Sequence, residues 1–322
     1  MKQLNFRSLA IVLLIGLLLA ATAVANATTC TVTSNLDKFD IVEGEFINLT
    51  PGGLRELLAD TRCDTITFDG DYIIRLAYTL SIDRNVTIDG VGHAVTISGD
   101  TFASAVFRIY ADVTPTVALQ NITVTKGHNG ENGGGGIKNV GGHLTVSNCT
   151  VSDNMESCGD SSCGGGGIWN DGTLEVINST FSGNSTTMRG GAIYNAYGTL
   201  TVTNSTFSGN KAGYEGGAIH NSGGVVTVRN SIVAQGIPCD IEDGQYQCKN
   251  CSGTIGGADN LVDDNTCGGS FTYSSAINLG ALGNYGGSTQ TIPLLAGSSA
   301  IDTGFDYGVK YDQRGVKRPQ GA

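Results

Sequence analysis

Apolar and polar residues alternate in short runs along most of this chain, and the runs recur. The sharpest recurrence is a glycine elbow, an apolar residue, a variable residue and an asparagine. It reads Gly-Gly-Gly-Ile137-Lys138-Asn139, Gly-Gly-Gly-Ile168-Trp169-Asn170, Gly-Gly-Ala-Ile193-Tyr194-Asn195 and Gly-Gly-Ala-Ile219-His220-Asn221. The asparagines are 31, 25 and 26 residues apart. A period in the twenties marks a solenoid, whose coils bury their apolar faces only by stacking on one another. A second run alternates in the same way: Val117-Ala-Leu-Gln-Asn121, Leu144-Thr-Val-Ser-Asn148, Leu174-Glu-Val-Ile-Asn178, Leu200-Thr-Val-Thr-Asn204 and Val226-Thr-Val-Arg-Asn230. A third follows it, as in Ser179-Thr-Phe-Ser-Gly-Asn184 and Ser205-Thr-Phe-Ser-Gly-Asn210.

Each coil thus holds three short strands and three bends. That predicts an all-β chain folded as a single-stranded parallel β-helix, with like residues stacked about 4.8 Å apart. Ile137, Ile168, Ile193 and Ile219 are expected to form one interior stack. Asn121, Asn148, Asn178, Asn204 and Asn230 are expected to form an inward-facing structural ladder at a bend, each amide bonding to the coils above and below.

Before the repeats, strands are expected at 29–34, 65–68, 73–76, 86–88, 94–97 and 107–109. A short helix is expected over 51–60, with Leu54, Leu57 and Leu58 on one face. Its physical task is to cover the open apolar end of the first coil. After Ser231 the repeat dissolves into a cysteine cluster, and the irregular end is expected to cap the second end. The chain accordingly divides into a signal peptide (1–27), an N-terminal cap (28–70), β-helix repeats (71–235) and a Cys-rich C-terminal cap (236–322).

Composition sharpens this picture. The 322 residues include 48 Gly and 5 Pro, and only 15% are charged. A net charge of −11 argues against nucleic acid or an anionic membrane surface as partner, since both need a basic footprint, and no nucleic-acid partner is expected. Lys2 and Arg7, the apolar run 9–23 and Ala25-Asn26-Ala27 read as a secretory signal, with an uncleaved membrane anchor as the rival. Nine cysteines in an exported chain suggest disulfides, although Cys248-x-x-Cys251 also has the spacing of half a zinc site or a redox pair. Cys149 follows a ladder asparagine, at an inward position, and is expected to be a buried free thiol.

With these residues in hand, 136–221 resembles polymorphic outer membrane protein repeats, which implies a right-handed β-helix of a bacterial surface or adhesin-like protein. Residues 30–69, with Thr31-Val-Thr-Ser, Gly53-Leu-Arg-Glu56 and Asp64-Thr-Ile-Thr-Phe68, resemble a CSLREA-type N-terminal domain, but lack its Cys-Ser before Leu-Arg-Glu. Residues 254–319 are similar to a choice-of-anchor Q domain, through Asp259-Asn-Leu-Val-Asp263, Leu282-Gly-Asn-Tyr-Gly-Gly-Ser-Thr-Gln-Thr291, Gly297-Ser-Ser-Ala-Ile-Asp302 and Asp312-Gln-Arg-Gly315. Such chains continue past Arg-Pro-x-Gly into a strand with one more cysteine. A tenth cysteine beyond Ala322 therefore competes with the free-thiol reading of Cys149.

Parallel β-helices also include polysaccharide lyases and hydrolases, so catalysis has to be judged on residues. A hydrolase needs two carboxylates about 5–9.5 Å apart. The sparse charges of 127–235 share no strand position in neighbouring coils, so no paired carboxylate stripe is expected and no catalytic residue is assigned. Lys138, Trp169, Tyr194 and His220 should instead lie in a row on the outer face of one sheet. An exposed aromatic row matches the flat faces of sugar rings, which makes this a candidate ligand-binding stripe. The competing expectation is that the aromatics simply favour strands and are covered by the long loops before each repeat. Calcium at Asp259, Asp263 and Asp264, near an acidic stretch at 240–243, competes with a plain solvated loop; no other metal or cofactor is expected. The resulting expectation is a monomeric, secreted or surface-displayed, non-enzymatic adhesin or stalk with a cell-surface glycan or protein as ligand. It would meet a membrane only through a signal or anchor segment. The alternative is a carbohydrate-binding or polysaccharide-degrading β-helix.

Overall fold

The structure is a computed structural model describing residues 27–38, 40–42, 45–47, 49–100, 105–110, 112, 114–130, 133–160, 162–236 and 250–318. The signal segment, Cys239, Cys248 and the acidic stretch 240–243 lie outside the described residues.

The alternating runs fold as their pattern dictates, into a right-handed parallel β-helix. Two nine-stranded sheets and one seven-stranded sheet run its length, and every pairing within them is parallel. The first sheet includes His143–Ser147, Thr173–Ile177 and Thr199–Thr203, the second Thr150–Ser152, Thr180–Ser182 and Thr206–Ser208, and the third Ile137–Asn139, Ile168–Asn170 and Ile193–Asn195. A fourth, four-stranded sheet of two-residue strands, such as Met155–Glu156 and Ser185–Thr186, adds an edge that the sequence did not suggest.

Apolar residues of one face meet in register through the middle of the coil. Ile137, Ile168, Ile193 and Ile219 pair in succession and are fully buried, the interior stack expected from the motif. Val124, Val151, Phe181, Phe207 and Val233 form a second buried row. The elbow must be glycine for two reasons. Gly190 has φ +70°, and a methyl on Gly191 would sit 2.2 Å from the Gly217 carbonyl of the next coil.

The asparagine ladder requires correction. Asn121, Asn148, Asn178, Asn204 and Asn230 do recur at one bend, but with φ from 46° to 53°, a left-handed conformation that Asn tolerates. That backbone turns the side chains toward the flank, and all but Asn178 are only half-buried. Their links are intermittent: Asn178 donates to Asn148 (3.4 Å), Asn230 donates to Asn204, and Asn121 donates to Asp89 (2.7 Å). The continuous interior ladders lie elsewhere. Asn139, Asn170, Asn195 and Asn221 each pass an amide proton to the next at 2.7–3.0 Å, as do Asn154, Asn184 and Asn210 at 2.9–3.0 Å.

The helix Leu54–Ala59 buries Leu54 and Leu58 against the first-sheet strands Thr28–Val32 and Cys63–Phe68, covering the first coil. Its Arg55 makes a two-pronged pair with Asp37 (2.6 and 2.7 Å), and the Arg84 guanidinium donates to the helix's closing carbonyls at Leu57 and Leu58. Disulfides join Cys30 to Cys63, Cys158 to Cys163 and Cys251 to Cys267. Cys251 is thus bonded to Cys267 and takes no part in a Cys-x-x-Cys site. Cys149 is free and buried, and burial pushes its thiol up to about 12, so it is unreactive at neutral pH.

The C-terminal part differs from expectation. The solenoid runs on past 235: Cys251–Ser252, Gly256–Ala258, Asn260–Val262 and Phe271–Tyr273 each add a rung. Ile255, Val262 and Cys267 join the core at that end, and beyond them the chain turns back as a strap over the second sheet. The outer face of that sheet carries hydroxyls, and the strap offers partners for them. Thr150 donates to the Gln290 carbonyl (2.6 Å), Thr180 to Gln313 (2.7 Å) and Asn178 to the Tyr311 carbonyl (2.7 Å), while Gln313 donates to the Cys149 carbonyl (3.1 Å).

Candidate functional site

Strand alternation places the residue after each stacked Ile on the outside, and parallel register puts Lys138, Trp169, Tyr194 and His220 in one continuous row. The Lys138 ammonium sits 5.0 Å from the centre of the Trp169 ring, and the Tyr194 and His220 rings stack at 5.3 Å. Only half of this row meets solvent. Lys138 and Trp169 are half-exposed, whereas Tyr194 and His220 are 5% and 7% exposed. The turns preceding the elbows cover them, bridging one to the next through Gly164, Arg189 and Glu215. This is the cover by preceding loops that competes with the open stripe, found at Tyr194 and His220 and not at Lys138 and Trp169. Arg108 extends the row beyond Lys138, in register with it, and lies over the Tyr110 ring at 4.8 Å. It falls outside the repeated motif, but the alternation of Phe107, Arg108 and Ile109 held the signal. Burial, then the neighbouring Arg108 charge, holds the Lys138 amine below its ordinary range.

His220 is held down to about 4, chiefly by burial and next by the Arg189 charge, against a smaller upward pull from Glu215. The unfolded chain binds this proton near pH 6.5 and the folded chain only near 4, so stability falls as the pH drops through that window. The loss is about 3 kcal/mol by its lower end. Urea unfolding at pH 7 and pH 4.5 should show this loss in the wild type and a much smaller one in His220→Gln; equal losses would exclude His220 as the source.

The strap creates a second candidate region. Between it and the solenoid flank lies a cleft of about 520 Å3, lined by Thr180, Asn204, Asn230, Asp259, Asp302 and Arg318 among others. A smaller cleft of about 360 Å3 lies toward the other end of the second sheet, where Asp100 is matched by Arg75 (2.5 Å) and Lys126 (3.1 Å).

The three aspartates considered for calcium do not converge. Asp259 accepts from the Tyr307 hydroxyl, Asp263 from the Gln235 N–H and the Asn250 amide, and Asp264 from Asn250 and Thr266. Among the described residues, the metal-ligand atoms that do come together are those of Glu156, Cys158 and Cys163, and the two sulfurs there form a disulfide. Glu156 is fully buried, accepts from the Cys158 N–H and the Thr186 hydroxyl, and has its carboxyl raised by burial. Sealed from solvent, it ties a loop to the coil.

With this geometry established, likeness to known proteins can be placed on it. Residues 178–196 and 204–222 match the Chlamydia polymorphic membrane protein (Chlamydia_PMP) repeat, and each match spans a second-sheet strand and a glycine elbow. No curated protein matches the sequence. Among solved structures, the chain is similar to jun a 1, the major allergen from cedar pollen, at 14% identity and a TM-score of 0.39, over 84% of this chain and 86% of that one. That likeness is too distant to bear on activity.

Proposed function

We propose that this is a secreted or surface-displayed bacterial β-helix protein with a non-enzymatic role, a rigid stalk or adhesin-like element that presents its outer face to a ligand. The observation that carries this reading is the continuity of the rod. Parallel sheets, the isoleucine stack and two buried asparagine ladders repeat from coil to coil, so the recurring residues serve shape. The matched repeat belongs to membrane proteins of Chlamydia, and three disulfides suit an oxidising compartment. In this reading 28–70 is a CSLREA-like cap and 254–319 a choice-of-anchor Q domain.

Protease added to intact producing cells should degrade the protein; full protection until lysis would count against surface display. The alternative, a carbohydrate-binding or polysaccharide-degrading protein, draws on the half-exposed Trp169 beside Lys138. On a glycan array, wild type should bind and Trp169→Ala should bind at least several-fold more weakly. Release of new chain ends from a polysaccharide panel would overturn the non-enzymatic reading.

A further inference from the structure

The larger cleft has a polar floor and an unbalanced set of charges. Its floor is the flank of the solenoid, where Thr180 and Thr206, and then Asn204 and Asn230, recur on successive rungs about 4.8 Å apart. The strap supplies the opposite wall, with Tyr285, Asp302, Asp312, Arg314 and Arg318. Several of these groups are engaged: Arg314 pairs with Asp312 at 2.6 Å, and Asp259 accepts from Tyr307. Others are open. Among the described residues, the half-buried Arg318 guanidinium has no hydrogen bond and only the Asp312 charge nearby, the solvent-exposed Asp302 carboxylate has no partner, and the Asn204 side-chain N–H donates to nothing. One rung beyond Asn204, the side-chain oxygen of Asn178 is sealed from water without a donor. For the half-buried Arg318 and Asn204, standing unpaired in a partly desolvated wall is costly, and a ligand that satisfies them recovers that cost.

We propose that this cleft binds an acidic oligosaccharide, whose carboxylate pairs with the Arg318 guanidinium and whose ring hydroxyls bond to Asn204, Asn230 and Asp302. The planar guanidinium matches a carboxylate in two parallel hydrogen bonds. Amides and a carboxylate are the groups that satisfy neighbouring sugar hydroxyls, which both donate and accept. Tyr285, 45% exposed, offers a flat apolar face at the mouth. The rung repeat is comparable to the length of one sugar unit, and the volume suits a short oligomer. A polyanion such as a sulfated chain or a nucleic acid fits poorly, because Asp259, Asp302 and Asp312 line the same walls. The site lies on the second sheet, apart from the Lys138–Trp169 row on the third, and does not depend on surface display.

Titration calorimetry of the full chain with aldotriouronic acid, a trisaccharide carrying one carboxylate, and with neutral xylotriose tests it. Wild type should bind the acidic probe saturably and the neutral one roughly tenfold or more weakly. Arg318→Gln should lose that preference, Tyr285→Ala should weaken both probes several-fold, and Trp169→Ala should change neither. Circular dichroism confirms folding, and Tyr285, at the exposed mouth, keeps the test valid if Arg318→Gln fails to fold. The proposal is overturned if wild type shows no saturable binding of aldotriouronic acid at millimolar concentration, if a folded Arg318→Gln binds it as well as wild type, or if Tyr285→Ala leaves binding unchanged.

Discussion

Phe207→Ala should lower the free energy of unfolding by about 3–5 kcal/mol, read as a shift in the urea midpoint. Phe207 is fully buried and stacks on Phe181 of the preceding coil, ring centres 4.9 Å apart and planes within 12°. Val233 of the next coil closes the row on the other side. Truncation leaves a cavity that the coil cannot close, because strand spacing is fixed by hydrogen bonds on all three sheets. The ring also joins neighbouring coils, so the loss falls on the interface term that makes a solenoid unfold as a unit. The transition should therefore broaden as well as shift. Phe207→Leu should recover most of the loss. A Phe207→Ala midpoint within error of wild type would mean that this row does not hold the coils together.

Asn170→Ala should cost about 3 kcal/mol, although Asn170 contributes little apolar area. Its amide donates to Asn195 (2.7 Å) and to the Gly172 carbonyl (3.2 Å), and its oxygen accepts from Asn139 (2.7 Å) and the Gly172 N–H (3.3 Å). The links to Asn139 and Asn195 are buried, so deletion strands polar groups on two neighbouring coils, at about 1–3 kcal/mol for each left unsatisfied. The contrast is Asn121→Gly, at a half-buried bend with φ +53°, where glycine takes the same backbone and the change should be a few tenths of a kcal/mol. Equal losses at the two sites would place the structural ladder back at the bend.

That contrast marks what was legible in the sequence. Period and alternation were enough for the coil, the isoleucine stack and the register of the Lys138 row, because each depends only on spacing. The inward ladder was also readable: Ile and Asn in Ile-x-Asn are two residues apart on one strand and so share a face. The bend asparagines attracted the reading instead because they recur just as regularly, and recurrence does not report the sign of φ. Cover of the aromatic row by the preceding loops was legible as an alternative, but which members it reaches was not, since the path of the glycine-rich turns carries no pattern. The cleft was hidden for a related reason. Its walls come from residues more than a hundred positions apart, and nothing local in 276–318 says that the chain turns back.

The returning strap also sets an order of assembly. Thr150 and Gln290 are 140 positions apart in the chain, yet bonded. Coils form by adding one neighbour at a time, from contacts close in sequence, whereas the strap has nothing to dock on until several consecutive coils exist. Its docking is the slow, long-range step, taken only on a completed rod. A chain stalled part-way would carry its last segment loose, open to any protease that meets it, and so the finished molecule is distinguished from the unfinished one by its own tail.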